Sequence, residues 1–401
     1  MLRSIYYSEE TRLMTFKLTY CKRCCMPETQ DGQAFDEMGY CNVCQSAEHK
    51  MRIDWLERRQ GLEEILEKAR IENADKPYDC LIPISGGKDS TFQLHVLVNE
   101  YKMRPLAVTF SHNWFNSIGM YNLLNSLEKF DVDHVMFTPK RGQVNKLAKK
   151  SLSAIGDACW HCHAGVGAFP LKTAIQYGIK LVIWGESVAE SSSRGTYKNP
   201  IMKFDQDYFA KVSAKVSVAS MTSDELNLAE LSTYQQPNSE DYKDAEIHGI
   251  HLGDYIFWDE ERQTEFVKEE YGWKETYIEG TYKRYKSAEC IMPGVHDFAC
   301  YLKRGYGRAS FHASNDVRAG LVTRDEAFES LVPLDQIEPN ALEYYTEITG
   351  ISREEFISTL ENQRHPLLKG VSLPIVENPK LNARPRLFIE DLKAWIEADE
   401  L

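Results

Sequence analysis

Between residues 78 and 186 the chain alternates short apolar runs with longer segments of helical spacing, and this alternation constrains the fold more than any other feature. The apolar runs lie at residues 79–84, 106–110, 134–137 and 181–184, and the helical patterns at 89–101, 118–130, 143–154 and 166–177. Strands that are apolar along their whole length belong to parallel sheets covered on both faces. We therefore predict an α/β fold with a doubly wound parallel sheet, in which ligands bind beyond the carboxyl ends of the strands.

A glycine-bearing loop joins the first predicted strand to the first predicted helix, with the sequence Ser85-Gly86-Gly87-Lys88-Asp89-Ser90. Glycines let backbone amides approach an anion closely, and the start of the helix adds unpaired amides. The two serines add hydroxyl donors, Lys88 adds positive charge, and Asp89 can hold Mg²⁺. The order of residues fits neither a Walker A loop nor a dinucleotide-binding loop. It resembles the loop of the PP-loop ATP pyrophosphatase superfamily, which implies binding of ATP and release of pyrophosphate.

That resemblance also implies a role for each residue of the loop. Residues 85–90 would hold the β- and γ-phosphates of ATP, with Lys88 and Asp89 as the catalytic pair. Residues 108–111 would line the adenine pocket, chiefly through Thr109 and Phe110. At the end of the last predicted strand, Gly185 and Glu186 would face the same crevice. Glu186 is either a ligand for metal or substrate or a solvated carboxylate.

Two C-x₂-C pairs lie near the N-terminus, Cys21 with Cys24 and Cys41 with Cys44. Residues 17–50 contain few large aliphatic side chains, so this segment cannot form a hydrophobic core of its own. Two such pairs supply the four thiolates of a tetrahedral Zn²⁺ site. We predict a zinc ribbon, whose role is structural because four cysteines leave no open coordination position.

A second cysteine group, Cys159 and Cys162, precedes a helix that the pattern starts near Ala164. Three interpretations are open. The pair could form a second metal or iron–sulfur site with Cys290 or Cys300, or act as a nucleophile activated by a helix N-terminus, or shape the mouth of the ATP crevice. The third is favoured, because Cys290 and Cys300 lack ligand-like spacing.

Composition narrows the classes of partner. The net charge of −13 disfavours a nucleic-acid partner. No apolar run approaches the ~20 residues of a membrane-spanning helix, and the N-terminus lacks the apolar stretch of a signal peptide. We expect a cytoplasmic protein with no membrane contact.

Changes in composition along the chain suggest five regions. These are a zinc ribbon at 17–50, a connecting helix at 51–77, a PP-loop ATP-binding domain at 78–190, an insert or substrate region at 191–287, and a mainly helical region at 288–401.

Several segments together resemble the N-acetyl sugar amidotransferases, over roughly residues 18–330. The segments begin at Tyr20 (Tyr-Cys-Lys-Arg-Cys-Cys-Met-Pro-Glu-Thr), Pro83 (Pro-Ile-Ser-Gly-Gly-Lys-Asp-Ser), Cys159 (Cys-Trp-His-Cys-His), Leu181 (Leu-Val-Ile-Trp-Gly-Glu-Ser), His251 (His-Leu-Gly-Asp-Tyr) and Tyr301 (Tyr-Leu-Lys-Arg-Gly-Tyr-Gly-Arg-Ala-Ser-Phe-His). The resemblance implies conversion of an acetamido group to an acetamidino group on sugars of surface polysaccharide or flagella. The amide oxygen would attack the α-phosphate of ATP, and ammonia would then displace AMP from the O-adenylated imidate.

The source of the ammonia lies outside this sequence. The chain starts Met1-Leu2 rather than with a cysteine, and none of its cysteines lies in a Gly-x-Cys-x-Gly turn of the kind a glutaminase uses. The family resemblance implies two partners, a separate glutaminase and a cyclase-like subunit that conducts ammonia.

For the sugar we predict contacts from a helical stretch at residues 301–318 that is interrupted by Gly305 and Gly307. The candidates are Arg304, Arg308, His312, Asp316 and Arg318. Arg308, His312 and either Asn315 or Asp316 recur at helical spacing, and arginine suits an anionic sugar, either a uronate or a nucleotide-diphosphate sugar. The alternative is a polar face that is solvated or paired within the chain.

Two other functions are considered. A PP-loop enzyme that inserts sulfur into tRNA would use Cys159 and Cys162, although the negative charge disfavours it. A zinc-ribbon scaffold with a degenerate nucleotide domain is disfavoured by the intact loop at residues 85–90.

Overall fold

The computed structural model describes residues 18–191, 195–198, 215–378 and 383–398. The predictions about the start of the chain, including the first residue of the zinc ribbon, lie outside these residues. Within them, five parallel strands form one sheet in the order β3-β2-β1-β4-β5. The strands are β1 (Cys80–Pro83), β2 (Pro105–Phe110), β3 (His134–Phe137), β4 (Leu181–Trp184) and β5 (His248–His251).

The four predicted strands are all present, and the predicted doubly wound sheet is confirmed. The fifth strand was not predicted, because His-Gly-Ile-His is not an apolar run. It comes from the region predicted as an insert and pairs with β4, with Ile183 opposite Ile250. Pro83 is the last residue of β1, where a missing amide donor costs no further ladder bond.

Helices surround the sheet and make up most of the C-terminal part. They are α1 (Asn42–Lys50), α2 (Trp55–Glu72), α3 (Lys88–Leu94), α4 (Ser117–Phe130), α5 (Arg141–Ile155), α6 (Trp160–Tyr177), α7 (Val188–Ser191), α8 (Ser239–Asp244), α9 (Glu260–Tyr271), α10 (Pro293–Arg304), α11 (Arg308–Ala319), α12 (Arg324–Glu326), α13 (Ala341–Thr349), α14 (Arg353–Asn362) and α15 (Phe388–Glu397). Wider π turns lie at His95–Glu100 and Ala327–Leu331, and 3₁₀ turns at Val218–Met221, Ser232–Tyr234, Leu252–Asp254, Val332–Gln336 and Pro366–Leu368.

Each face of the sheet has its own apolar core. On one face, Leu62 and Leu66 of α2 pack with Ile82 and Ile183. On the other, Leu171 of α6 packs with residues of β1, β2 and β4. Buried apolar faces on opposite sides of one sheet are what the continuous apolar strands predicted.

Two predicted helix boundaries need correction. The connecting helix, predicted over residues 51–77, is α2 (Trp55–Glu72) in the structure. Asp54 caps its start by accepting hydrogen bonds from the amides of Leu56 and Glu57. Helix α6 begins at Trp160 rather than near Ala164, and it contains Pro170. Cys159 is therefore the N-cap residue of α6, and Cys162 lies in its first turn.

A separate core holds the C-terminal helices together. Helix α10 packs against α13 and α14, and these two helices pack against α5. Leu302, Tyr345 and Phe356 are buried in the shared core. The mainly helical C-terminal part is confirmed. None of the helices in the described ranges is both long and apolar enough to cross a membrane.

Candidate active site

The loop between β1 and α3 has a backbone that only glycine permits at its centre. Gly86 has φ +81°, and a Cβ there would lie 2.7 Å from the carbonyl oxygen of Gly119 in α4. The indole of Trp273 donates to the carbonyl of Gly86 at 2.9 Å, which fixes the loop from the other side. Gly87 precedes α3, and no side chain caps the start of that helix. The loop is thus held rigidly with helix amides available for an anion.

Lys88 and Asp89 lie in a network of alternating charges beside this loop. Lys88 is buried, and its Nζ lies 2.5 Å from Oδ1 of Asp89 and 3.9 Å from Oε2 of Glu260. Glu260, at the start of α9, also pairs with Lys286. A buried ammonium held by carboxylates is in place to neutralise phosphate oxygens.

Two carboxyls of this network have pKa values pushed in opposite directions. Burial raises the pKa of Glu186 to about 7, with Lys286 opposing the rise and Asp89 adding to it. Burial would also raise the pKa of Glu260, but Lys286 and Lys88 outweigh it and lower the value to about 2. Glu186 can therefore exchange a proton near neutral pH, whereas Glu260 stays ionised. Asp89 and Glu186 are the residues here that could hold Mg²⁺.

A cavity of about 450 Å³ opens at the carboxyl end of the sheet, next to the loop. Its lining residues are Pro83, Ile84, Ser85, Val108, Phe110, His112, Cys162, His163, Val166, Pro170, Trp184, Lys215 and Glu289. The volume is in the range of about 300–1,000 Å³ typical of ligand pockets. Its apolar walls and the loop at one end suit an adenine ring with its phosphates.

Of the two residues predicted to contact adenine, one lines this cavity and one does not. Phe110 is in the wall. Thr109 points to the opposite face of β2, where its hydroxyl donates to the carbonyl of Ile84 at 2.8 Å. Successive side chains of a strand alternate between faces, so neighbours could not both line the pocket. Gly185 is close to the loop, since a Cβ on it would lie 3.7 Å from Cβ of Asp89.

Three of the five residues predicted for the sugar lie on one side of α11, close to the lysines that follow α9. Arg308 pairs with Asp297 and donates to the hydroxyl of Ser287 at 2.9 Å. Nδ1 of His312 lies 2.6 Å from the hydroxyl of Thr281.

Asp316, the third of these residues, pairs with Lys283 at 2.8 Å. Burial and the cations around it, Arg308 first, lower the pKa of His312 well below its ordinary value, so the imidazole is neutral.

The other two predicted sugar contacts are elsewhere. Arg304, on α10, pairs with Asp31 at 2.5 Å. Arg318 faces the sulfurs of Cys24 and Cys44. Arg304 is on α10, which Gly305 separates from α11. Arg318 is on α11 two residues after Asp316, so it points to another side of that helix.

Four residues near the loop were missed by the sequence analysis. They are Glu260, Lys283, Lys286 and Glu289. The one signal in the sequence is the run Tyr282-Lys-Arg-Tyr-Lys286, in which lysines lie beside tyrosines. Lys88 lies 5.5 Å from the ring of Tyr285, which brings that run against the loop.

The N-terminal cysteines form a compact cluster. The sulfurs of Cys21, Cys24, Cys41 and Cys44 all lie within 4.8 Å of one another and are buried. The separations Cys21–Cys44 and Cys24–Cys41 are both 3.8 Å. A tetrahedron of sulfurs about 2.3 Å from one metal has edges of about 3.8 Å, so the cluster fits a single ion. In a [4Fe-4S] cluster each thiolate binds a different iron, which would hold the sulfurs further apart.

The second cysteine group has a different arrangement. Cys159 precedes α6 and Cys162 lies in its first turn. Cys290 lies near both, since it raises the pKa of Cys159 and Cys162 raises the pKa of Cys290. Burial is the main cause, and it raises the pKa of Cys162 to about 12. Cys300 is apart from them, in contact with Arg304. The thiols are therefore protonated at neutral pH, which argues against the activated nucleophile.

The five-stranded parallel sheet and the loop at residues 85–90 resemble those of the PP-loop ATP pyrophosphatase superfamily. Residues 279–369 match a family model described as "LPS biosynthesis protein WbpG-like, C-terminal domain". A segment of 75 residues, 19% of this chain, is 32% identical to the uncharacterized protein MJ1599 of Methanocaldococcus jannaschii. The match covers 26% of that relative, so the chain spans about a quarter of its length.

Two solved structures align with this chain over most of their own length. One is the U34-tRNA thiolase NcsA from Methanococcus maripaludis with its [4Fe-4S] cluster, at 13% identity, covering 88% of this chain and 90% of that chain, with a TM-score of 0.32. The other is NMN synthetase from Francisella tularensis, at 12% identity, covering 54% and 87%, with a TM-score of 0.24. TM-scores this low do not extend either likeness to the details of a site.

Proposed function

We propose that this chain is an ATP-dependent amidotransferase that converts an acetamido group of a nucleotide-linked N-acetyl sugar to an acetamidino group, in lipopolysaccharide biosynthesis. One observation carries the proposal. The segment that matches the lipopolysaccharide family model supplies Lys286, Glu289 and Arg308, and these residues lie against the loop and cavity built by the sheet. The segment that matches the family model and the sheet therefore contribute residues to the same candidate site.

The site suits activation of an amide by ATP. An amide carbonyl is a poor electrophile, and transfer of AMP to its oxygen makes the carbon reactive. The loop amides and Lys88 would hold the pyrophosphate as it leaves, and Asp89 and Glu186 would hold Mg²⁺, which neutralises phosphate charge. Catalysis by positioning and charge neutralisation needs no covalent enzyme intermediate.

The sugar would lie between the loop and α11. Arg308 is fixed by Asp297 and Ser287, so its guanidinium is held ready for an anion rather than free to move. A uronate or a diphosphate on the sugar suits such a group. His312 is neutral and buried, and a neutral imidazole can donate to or accept from sugar hydroxyls.

The ammonia would come from a separate glutaminase through a cyclase-like subunit. None of the cysteines in the sequence lies in a glutaminase nucleophile turn. The four-cysteine cluster would hold Zn²⁺ in a structural role, since its donor set and sulfur spacing fit one tetrahedral ion.

The test uses the isolated chain with ATP, Mg²⁺ and a panel of UDP-linked acetamido sugars that includes uronates. With ammonium chloride we expect exchange of the amide oxygen for NH in one sugar, detected by mass spectrometry, together with AMP and pyrophosphate. With glutamine alone we expect no product. Turnover with glutamine, or no sugar-dependent pyrophosphate with any member of the panel, would contradict the proposal.

A second candidate is sulfur insertion into tRNA. It is favoured by the grouping of Cys159, Cys162 and Cys290, of which Cys162 lines the cavity. An anaerobic preparation with iron–sulfur absorption and tRNA-dependent pyrophosphate release would favour this candidate over the sugar amidotransferase.

A further inference from the structure

The carboxylate of Glu289 lies at the cavity beside the phosphate loop and has no chemical step in the function proposed above. Oε2 of Glu289 is buried and has no hydrogen-bond partner among the described residues. It would lie 3.7 Å from a Cβ placed on Gly87. Glu289 lines the cavity together with Ser85 and Cys162. An unpaired carboxylate oxygen in such a place costs free energy unless a ligand pairs with it.

The backbone around Glu289 is fixed, so the position of the carboxylate is a built feature. Its carbonyl accepts from the amide of Asn116 at 3.1 Å. A Cβ on Gly119 would lie 2.3 Å from Cα of Glu289, so the two segments touch where α4 begins. Because Gly119 also contacts Gly86, the carboxylate and the loop are positioned by the same turn of α4.

A second buried glutamate in the same region shows what a structural role looks like. Glu279 accepts hydrogen bonds from the amides of Asn340 and Ala341, at 2.7 and 3.0 Å, and so ties down the start of α13. Each of its oxygens is used by the chain itself. Oε2 of Glu289 has no such partner, and the residue lines the cavity where substrate would lie.

A carboxylate so close to the phosphate loop suits a positively charged group and repels an anion. In the proposed reaction the O-adenylated imidate is cationic, because its nitrogen keeps the hydrogen of the amide. This positive charge moves to the new nitrogen when ammonia adds to the imidate carbon. Resting on that function, we propose that Glu289 is a catalytic residue that accepts the proton from the attacking ammonia and pairs with the amidinium product.

The nitrogen of ammonia forms a bond to the carbon of the cationic imidate. The imidate's own nitrogen then becomes neutral, and the tetrahedral adduct carries an –NH₃⁺ group. One proton passes to a carboxylate oxygen of Glu289, and the bond from carbon to the AMP oxygen then breaks. AMP leaves with the electron pair of that bond, and the sugar keeps a cationic amidinium.

The charges around Glu289 are compatible with this role. Burial raises the pKa of its carboxyl, its own backbone amide and Arg308 oppose the rise, Asp89 adds to it and Lys88 opposes it. The thiol of Cys162 faces it from α6. A carboxyl with a raised pKa is a better proton acceptor than an exposed one.

The experiment compares Glu289→Gln with the matched control Glu279→Gln in the full chain. Glutamine keeps the shape of the side chain but cannot take a proton. Two activities are measured with the UDP-linked sugar that the wild-type chain uses: sugar-dependent exchange of labelled pyrophosphate into ATP without ammonia, and amidine formation with ammonium chloride. Hydroxylamine serves as a second nucleophile, because it is already neutral at pH 7 and its adduct loses a proton readily.

We expect Glu289→Gln to keep pyrophosphate exchange within about threefold of wild type and to lose amidine formation by about 10²–10⁴-fold. Hydroxylamine should restore most of the lost turnover. Glu279→Gln should change both activities in parallel, as a loss of stability does. Equal loss of both activities in Glu289→Gln, or amidine formation within threefold of wild type, would overturn the role. Absence of exchange in the wild-type chain would overturn the proposed function itself, and the role with it.

Discussion

The chain has C-x₂-C pairs in two groups, the N-terminal four-cysteine cluster and the pair Cys159 and Cys162, and their surroundings differ in shape and in charge. In the cluster, the sulfurs of Cys21 and Cys24 lie 3.8 Å from those of Cys44 and Cys41. Arg318 faces those sulfurs, and Arg324 donates to the carbonyls of Cys21 and Cys24. The other pair, Cys159 and Cys162, lies at the start of α6.

Around this second pair the neighbouring charges are negative. Asp157 accepts from the amide of Cys159 at 2.8 Å, and Glu289 faces Cys162. Cations stabilise thiolates, whereas carboxylates and burial keep thiols protonated. The spacing C-x₂-C therefore does not define a metal site by itself. Burial first, and then the neighbouring carboxylates, keep the thiols of Cys159 and Cys162 protonated.

The largest effect should follow from removing a ligand of the first group. We expect Cys41→Ser to lower tightly bound zinc from one equivalent to below about 0.1, because three thiolates hold a structural ion far less well than four. Metal analysis of the purified protein measures it. Cys25→Ser is the matched control, since Cys25 is buried beside the cluster and outside it. Retention of a full equivalent by Cys41→Ser would show that the cluster is not the metal site.

Removing the positive charge of Arg318 beside the four-cysteine cluster should have a smaller effect on zinc binding. Arg318→Gln removes the positive charge next to the thiolates, and we expect the affinity for zinc to fall about 10–100-fold. Competition with a chromogenic chelator measures the change. Arg23→Gln is the control, because Arg23 lies within the first C-x₂-C pair but is bound to Glu48 at the surface. If both variants hold zinc equally well, charge does not distinguish the two cysteine groups.

Alkylation should show the contrast as a dependence on pH. The pKa of Cys162 is raised to about 12, and only the thiolate reacts. We therefore expect iodoacetamide to label Cys162 about 10³-fold more slowly than free cysteine at pH 8, with the rate rising about tenfold per pH unit up to pH 10. ATP with Mg²⁺ should protect it, because Cys162 lines the cavity. Labelling at the rate of free cysteine would contradict the buried, protonated thiol.

The smallest effect should come from removing the second pair. Cys159→Ala and Cys162→Ala should change sugar-dependent turnover by less than about fivefold, since packing alone is altered. Initial rates of pyrophosphate release measure it. A complete loss of activity in both variants would instead place the thiols in the chemistry and favour sulfur insertion.

The parts of the molecule that could be predicted from the sequence are those set by local pattern. Four strands, the loop after β1 and each C-x₂-C pair of the four-cysteine cluster depend on residues a few positions apart. Strand β5 could not be predicted in this way, because it is held by pairing with β4 and has two histidines among its four residues.

The site beyond the loop depends on contacts between distant segments. Lys286 and Glu289 meet Lys88 and Asp89 only because the chain folds back over the sheet. The error at Arg318 has a geometric cause. Residues two apart on a helix point about 160° away from each other, so Arg318 could not share a face with Asp316.

The central claim is that the loop holds ATP so that the amide oxygen of a sugar captures AMP. The most direct measurement labels the acetamido carbonyl of the UDP-linked sugar with ¹⁸O and follows the label during turnover with ammonium chloride. We predict that the AMP formed carries one ¹⁸O, because the bond between carbon and oxygen breaks after the bond to phosphorus has formed. Unlabelled AMP, or hydrolysis of ATP to ADP and phosphate, would contradict the account.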